Sequence, residues 1–245
     1  MKVYPLTECG FTVDQSKQFI PIDLSKEDMK TRSSGSLLVE IQPFLVQTSN
    51  DLILFDAGLG FEEEGDLQLI RNIQKAGFNK TDITKLLMSH LHKDHAGGLK
   101  ALHENAPAFP EADYYIGKKE MELALSGDTT SYQASQYDFL KNHQRLNLLP
   151  DSGQIDDYIH FETTGGHSLY HIVFWLKEND EIIFFGGDEA PQLSQMKHRY
   201  AAKYDYDGKR AMELRAKWWE EGRNEGWDFL FYHDVKNPVT KSNPN

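Results

Sequence analysis

The sequence predicts a layered α/β or α+β domain in which helices cover β-sheet. Short apolar runs typical of strands alternate with amphipathic segments typical of helices along the whole chain. Of the 245 residues, 39% are hydrophobic, which is enough to build a sizeable core. The sequence shows neither an internal repeat nor a Ser/Gly-rich linker. We therefore expect residues 1–245 to form a single domain.

The first half of the chain alternates predicted strands with predicted helices. Strands are expected at 36–48, with a break at Pro43, and at 52–55, 86–88 and 114–116. Helices are expected at 66–77, 96–103, 118–125 and 131–149. The last of these is polar and aromatic, so we interpret it either as a lid over a site or as an insert packed for stability.

The second half is dominated by predicted strands. These are expected at 158–163, 170–176, 181–185 and 227–232. Asp207 is a suitable N-cap for a helix over 208–221, because its carboxylate can accept from free backbone N–H groups. The polar segment 237–245 contains proline and is expected to be a flexible tail.

Composition disfavours some classes of partner and excludes sites built from several cysteines. Acidic residues outnumber basic ones by 38 to 26, and the resulting charge of -12 disfavours nucleic acid and anionic membranes as partners. The single cysteine, Cys9, excludes an intramolecular disulfide framework and a cysteine-cluster metal site. Residues 1–10 lack the apolar run of a secretory signal, and we expect a cytoplasmic protein.

A cluster of potential metal ligands follows the predicted strand at 86–88. His90, His92, Asp94 and His95 stand within six residues of one another. A turn after a strand can direct the first two into one site and the last two into a neighbouring site. One short loop could therefore serve two metal ions, since imidazole and carboxylate are common ligands of divalent metals.

Three further candidate ligands lie far from this cluster in sequence. His167 stands in a glycine-rich turn between two predicted strands, whereas Asp188 and His233 each follow an apolar strand directly. Layered sheet proteins display functional groups at strand ends. These residues are therefore expected to complete the site.

With these motifs the chain resembles the metallo-β-lactamase superfamily of metal-dependent hydrolases. The family's His-x-His-x-Asp-His signature and its three later motifs stand here at His90, His92, Asp94, His95, His167, Asp188 and His233. The resemblance extends from about Leu37 to His233. It implies an α+β fold, the four-layer αββα sandwich of this family.

The resemblance also implies a role for each ligand. His90, His92 and His167 would hold one metal ion. Asp94, His95 and His233 would hold a second, and Asp188 would bridge the two. Zinc is the expected metal, with iron and manganese as alternatives. A hydroxide shared by the metals would attack the substrate, while Asp94 would orient it or carry a proton.

Other residues are predicted to support the site or to bind substrate. Asp56 matches a family aspartate at a strand end that supports the ligands, and His171 is expected to support them or to belong to the sheet. A mixed basic and aromatic run follows Asp188 closely, and we interpret four of its members as substrate contacts: Lys197, Arg199, Tyr200 and Lys203.

The favoured function is a dinuclear hydrolase that cleaves an ester or lactone-like bond of a small molecule. A phosphodiesterase and a glyoxalase II-like thioesterase are alternatives within the enzymes, and a non-catalytic metal-binding sensor or scaffold is an alternative outside them. Lactonases of the acyl-homoserine-lactone type carry a tyrosine where this chain has Pro191, which counts against that branch. Exported β-lactamases commonly place a cysteine at the position of Asp188. The sequence leaves homo-oligomerisation open.

Overall fold

The computed structural model describes residues 1–13, 18–22, 36–127 and 129–242. In chain order the strands are β1 (Lys2–Pro5), β2 (Cys9–Val13), β3 (Phe19–Ile22), β4 (Leu37–Ile41), β5 (Phe44–Gln47), β6 (Leu52–Phe55), β7 (Glu62–Glu63), β8 (Asp66–Leu67), β9 (Lys85–Leu87), β10 (Asp113–Gly117), β11 (Leu146–Leu149), β12 (Ser152–Ile155), β13 (Ile159–Thr163), β14 (Ile172–Glu178), β15 (Glu181–Phe185), β16 (Asp228–Leu230) and β17 (Val239–Lys241). The α-helices are α1 (Gln68–Lys75), α2 (Lys93–Ala96), α3 (Lys118–Ala124), α4 (Leu193–Lys197) and α5 (Gly208–Glu225).

Two six-stranded sheets dominate the described part of the chain. The first has the spatial order β1-β5-β6-β9-β10-β11, and the second has the order β12-β13-β14-β15-β16-β17. A smaller sheet, β3-β2-β4, is formed by residues before Gln42. The first sheet therefore comes from residues 2–149 and the second from residues 152–241.

The side chains of the sheets alternate between two cores, as the pleat requires. In β6, Leu52 and Leu54 join a core with α1 and α3, whereas Ile53 and Phe55 join the core between the two sheets. The ring of Phe55 lies 4.7 Å from that of Phe185 across the sheet interface.

A third core lies on the outer face of the second sheet. Trp218 of α5 packs there against Phe184 of β15, with ring centroids 5.0 Å apart. The order of the layers is thus helix, sheet, sheet, helix. The predicted αββα sandwich is confirmed.

Parallel pairing brings the functional segments to one edge. β6, β9 and β10 are parallel neighbours, so the loops after β6 and β9 leave the first sheet at the same end. β15 and β16 are parallel neighbours in the second sheet, and β14 runs antiparallel to β15. The loop before β14 therefore meets the loops after β15 and β16 at one edge.

Two helix predictions in the first half are wrong. The helix expected at 96–103 is instead the single turn α2, which ends at Ala96. The helix expected at 131–149 consists of two 3₁₀ segments (Ala134–Gln136 and Asp138–Asn142) and β11, which pairs with β10. Short apolar runs do not distinguish an edge strand from a helix, because both periodicities fit four residues.

Contacts within the 131–149 segment favour the packed insert over a lid. Tyr137 and Leu140 are fully buried in the core beneath the first sheet, and the Tyr137 hydroxyl donates to the carbonyl oxygen of Ala124. The tail prediction also needs correction, since β17 lies within it and pairs with β16. Residues 243–245 lie outside the described residues.

Glycines allow the loop after β6 to approach α2 closely. The N–H groups of Gly97 and Gly98 donate to the carbonyl oxygens of Gly58 and Ala57 at 2.8 and 3.0 Å. A Cβ atom on Gly97 would lie 2.2 Å from the backbone of Leu59. The absence of a side chain there lets the two loops that flank the ligand cluster pack backbone against backbone.

Candidate metal centre

The cluster of ligands lies between the end of β9 and the single turn of α2. His90 and His95 are 1% and 0% exposed, which is unusual for titratable groups. The extended backbone of His92 precedes α2, and Asp94 lies in the first turn of that helix. This change from strand to helix separates the first two ligands from the last two.

The seven candidate ligands predicted from the sequence converge in space. One group contains His90, His92 and His167, and another contains Asp94, His95 and His233, each with ligand atoms within 4.8 Å of one another. The two groups join the edges of the two sheets.

Asp188 lies between the groups. Its Oδ1 atom is 3.0 Å from Nε2 of His233 and 3.2 Å from Nε2 of His95. Its Oδ2 atom is 3.3 Å from Nε2 of His167. The two oxygens of one carboxylate thus face ligands of different groups.

The unsatisfied atoms of this cluster fit a divalent cation. Nε2 of His90, Nε2 of His95 and Oδ1 of Asp188 are buried and make no hydrogen bond of good geometry within the described residues. Buried polar atoms without partners are costly, and bound metal ions would satisfy them. A donor set of imidazole nitrogens and carboxylate oxygens suits zinc, iron and manganese.

The protonation states of the cluster are coupled through Asp188. Burial, together with the neighbouring imidazoles, holds the pKa of His90 and His92 well below its ordinary value, so both rings are neutral. Burial alone would raise the pKa of Asp188, but His233, His95 and His167 hold it well below its ordinary value. Burial alone would lower the pKa of these three histidines, but Asp188 raises it, so a metal ion that binds them must displace their protons.

Asp56 connects the loop after β6 to both groups. Its Oδ1 accepts from the N–H of Ser89, and its Oδ2 accepts from the Ser89 hydroxyl and from Nδ1 of His95, each at 2.7 Å. The residue is fully buried and has a φ of 55°, a left-handed conformation that aspartate tolerates better than most residues. The carboxylate therefore fixes the ring of His95.

Two further candidate ligand rings, those of His233 and His167, are held through Nδ1 as well. His233 Nδ1 donates to the carbonyl oxygen of Glu40 at 2.6 Å, and His167 Nδ1 donates to Oδ1 of Asp205 at 3.1 Å. Both contacts leave Nε2 facing Asp188. His171 lies against the His90 ring, and its Nε2 accepts from the N–H of Asp188 at 3.1 Å.

Two tyrosines and a glutamate support the segment 91–94. The hydroxyl of Tyr132 donates to Oε1 of the buried Glu120, which also accepts from the N–H of Leu91. Burial raises the pKa of Glu120 to about 7. The Tyr132 ring lies 4.7 Å from that of His92. The hydroxyl of Tyr232 donates to the carbonyl oxygen of Asp94.

The predicted substrate contacts are exposed and lie after the bridging position. Lys197 ends α4, and its Nζ lies 5.5 Å from the centre of the Trp219 ring. The carbonyl oxygen of Tyr200 accepts from Arg215 at 2.6 Å. Within the described residues, the side chains of Arg199 and Lys203 make neither a hydrogen bond nor an ion pair.

Sequence reasoning missed two residues that contact a candidate ligand, Tyr204 and Asp205, and one that supports the ligand segment, Glu120. Tyr204 lies with its ring 5.9 Å from that of His167, and Asp205 and Glu120 support the ligands as described. Asp205 lies in a loop and Glu120 in the first turn of α3, and neither belongs to a spaced motif, so no local pattern marks them. Tyr204 belongs to the basic and aromatic run after Asp188, where its position next to Lys203 is the signal that could have identified it.

The sequence matches the profile of the metallo-beta-lactamase superfamily over residues 40–216. The chain belongs to the metallo-beta-lactamase superfamily. This match spans six of the seven candidate ligands, and the seventh, His233, is placed beside them by the fold.

Two solved structures of similar proteins have the same fold as this chain. A probable metal-dependent hydrolase from Staphylococcus aureus superposes with a TM-score of 0.83 at 20% identity, covering 100% of this chain and 93% of that one. AidC, a dizinc quorum-quenching lactonase in complex with a hexanoyl-homoserine product, superposes with a TM-score of 0.76 at 20% identity, covering 98% and 89%.

A relative by sequence is the uncharacterized protein YobT of Bacillus subtilis. It is 31% identical over 96 residues, and the match spans 39% of this chain and 37% of that relative's length. The superfamily and the buried histidine–aspartate cluster support a metal-dependent hydrolase. No helix among the described residues combines the length and the apolar character needed to cross a membrane.

Proposed function

We propose that the chain is a hydrolase with two divalent cations that cleaves an ester or lactone-like bond of a small molecule. His90, His92 and His167 would hold one cation, Asp94, His95 and His233 the other, and Asp188 would bridge them. Zinc is the expected metal.

The position of Asp188 carries this proposal. Its two oxygens lie about equally far from His167 on one side and from His233 on the other, at 3.3 and 3.0 Å. A structural ion pair would need only one such partner, whereas a carboxylate between two groups of imidazoles suits a bridge between cations. Two cations bound side by side would supply hydroxide near neutral pH and polarise the bond to be cleaved.

The residues of the chain would orient the reaction. Asp94 has Oδ2 at 3.7 Å from Nε2 of His233, so this carboxylate can bind a cation and hold or transfer a proton at the same place. Tyr232 fixes its backbone. Tyr204, which is 41% exposed beside His167, would contact the substrate at the rim.

The fold neighbours support a small-molecule ester or lactone as substrate. AidC is a lactonase, and its product is the open form of an acyl lactone. Pro191 stands where lactonases of that type carry a tyrosine, and its carbonyl oxygen accepts from the N–H of His233. The substrate class is thus best tested with a panel.

The test is turnover of four compounds by zinc-loaded and manganese-loaded protein: an N-acyl homoserine lactone, a p-nitrophenyl ester, a thioester and bis-p-nitrophenyl phosphate. We expect hydrolysis of the lactone or the ester to be fastest. Chelation followed by re-addition of metal is the control, and activity should vanish and return. Preference for the phosphodiester or the thioester would reassign the substrate class, and inertness towards all four compounds would favour a metal-binding sensor or scaffold.

A further inference from the structure

We infer that Asp205 is a positioning residue that sets the metal affinity of the group formed by His90, His92 and His167. The inference rests on the proposed function, since it assumes that these imidazoles bind a cation. Asp205 would act through His167 and would touch neither the cation nor the substrate.

The contact between the two side chains is buried and directional. The Asp205 side chain is 1% exposed, and its Oδ1 lies 3.1 Å from Nδ1 of His167. Because a carboxylate only accepts, Nδ1 carries the proton and Nε2 presents its lone pair. That Nε2 lies 3.3 Å from Nδ1 of His92, inside the ligand group. A carboxylate on the outer nitrogen fixes both the tautomer and the orientation of a metal-binding imidazole.

Asp205 is itself held by a buried arginine of α5. Arg215 is 1% exposed and lies 4.0 Å from Oδ2 of Asp205. Its guanidinium donates to the carbonyl oxygens of Glu189 at 3.0 Å and of Tyr200 at 2.6 Å. One side chain thus fixes the segment that carries Asp205 against the residue next to Asp188.

Backbone contacts fasten the same segment to the loop of His167. The N–H of Tyr206 donates to the carbonyl oxygen of His167 at 2.9 Å, and the N–H of Asp207 donates to that of Gly166 at 2.7 Å. The segment of Asp205 is therefore held before the carboxylate by the contact of Tyr200 with Arg215 and after it by these two backbone hydrogen bonds. This rigidity is what a positioning role requires.

The second ligand group depends on different partners. His95 is held by Asp56, and His233 by the carbonyl oxygen of Glu40. Neither contact involves the segment of Asp205. Loss of the Asp205 carboxylate should consequently weaken the binding of one cation and leave the binding of the other unchanged. A general loss of stability would weaken both.

The experiment is a zinc titration of the full apo-protein in competition with a chromophoric chelator. Wild type is compared with Asp205→Asn, which keeps the shape, and with Asp205→Ala. We expect one of two zinc ions to bind about 10–100-fold more weakly in both variants, with the other unchanged. Cobalt(II) titration provides a spectroscopic signature, because the visible absorption of only one equivalent should change.

Asp207→Ala is the matched control. Asp207 lies two residues further on and caps α5 by accepting from the N–H of Arg210 at 3.0 Å, without contact to a ligand. This variant should lower the melting temperature and keep both zinc affinities. Equal weakening of both ions in Asp205→Asn, or no change in either, would overturn the inference while leaving the proposed function intact. Wild-type protein that binds fewer than two zinc ions would overturn both.

Discussion

Removal of the Asp188 carboxylate should have the largest effect of any single substitution in the segment 187–207. The proposed cations would face each other without an anion between them, and Asp188 is 7% exposed, so water would screen the repulsion poorly. We expect Asp188→Ala to lose at least one metal and to lower kcat about 10²-fold or more. Elemental analysis and steady-state kinetics measure the two effects.

Lys203→Ala is the control for this substitution, because Lys203 is exposed in the same segment. It should keep both metals. If Asp188→Ala keeps both metals and near-normal turnover, Asp188 is only a residue at the end of a strand.

Tyr204 is expected to bind substrate through its exposed ring. It is 41% exposed and lies beside His167, whereas the charge of Lys197 points to Trp219 of α5. Tyr204→Ala should raise KM several-fold with little change in metal content, since binding is lost and the metal ligands stay in place. Lys197→Ala should leave KM unchanged. The opposite ranking would move the substrate pocket to the α4 side of the segment.

The candidate metal ligands and the supporting residue Asp56 could be predicted from the sequence, but the supporting residue Asp205 could not. Local spacing identifies four of them, His90, His92, Asp94 and His95. Positions at strand ends and the family resemblance identify the other three, His167, Asp188 and His233. Asp205 reaches His167 because Arg215 of a later helix and backbone hydrogen bonds to the His167 loop hold its segment in place. A contact made by tertiary packing leaves no periodic signal in the sequence.

A partly buried ion pair joins the beginnings of β6 and β9. Lys85 Nζ lies 2.6 Å from Oδ1 of Asp51, and the hydroxyl of Tyr158, from the second half of the chain, donates to the same carboxylate. Burial alone would raise the pKa of Asp51, but hydrogen bonds from Lys85, Tyr158 and Thr84 lower it below its ordinary value of 3.8. The pair's contribution to stability is therefore present above pH 3.8 and lost as the pH falls through the folded pKa.

Asp51→Asn should lower the free energy of unfolding at pH 7 by about 1 kcal/mol, or about 2–4 °C in Tm. The difference from wild type should shrink as the pH falls below 3.8. Thermal melts over a pH series measure it. Asp156→Asn is the control, because Asp156 also contacts Lys85 but is 54% exposed, and its effect should be smaller. Equal effects of the two substitutions would show that burial does not matter here.

The close approach of α2 to the loop after β6 gives a steric prediction. Gly97→Ala would place a Cβ atom 2.2 Å from the backbone of Leu59, so the two loops must separate. We expect a loss of about 1–3 kcal/mol of stability, with weaker metal binding at the adjacent ligands. Gly77→Ala is the control, since its φ of 93° is strained for alanine but nothing lies within 4 Å. Metal titration should distinguish the two variants, because only Gly97→Ala should weaken metal binding.

Strands buried on both faces were the most predictable elements. β6 was predicted with its exact bounds, because the run from Leu52 to Phe55 is apolar throughout. β11 and β17 were missed, since each is short and depends on pairing with β10 or β16. Leu148 of β11 is 47% exposed, so that strand has no buried face continuous enough to be recognised.

The whole molecule should be stabilised by its metals. The ligands come from loops of both sheets, so bound cations would hold the two halves together at one edge. At a metal concentration about 100 times Kd, each bound ion adds about 2.7 kcal/mol, or about 5–10 °C in Tm. Elemental analysis should give two metals per chain, and calorimetry with and without chelator should show the shift. A stoichiometry near one that persists after zinc or manganese is added would contradict the dinuclear proposal.

The distribution of the ligands along the chain also orders events during synthesis. A growing chain presents His90, His92, Asp94 and His95 as soon as the first sheet is made, but it cannot yet offer Asp188 or His233. Four ligands without their partners form an incomplete and exchangeable site, from which a wrongly chosen ion can leave. Only when β16 has paired with β15 does His233 reach Asp188. If the chain binds metals as proposed, the choice of metal would therefore be postponed until the second sheet has folded.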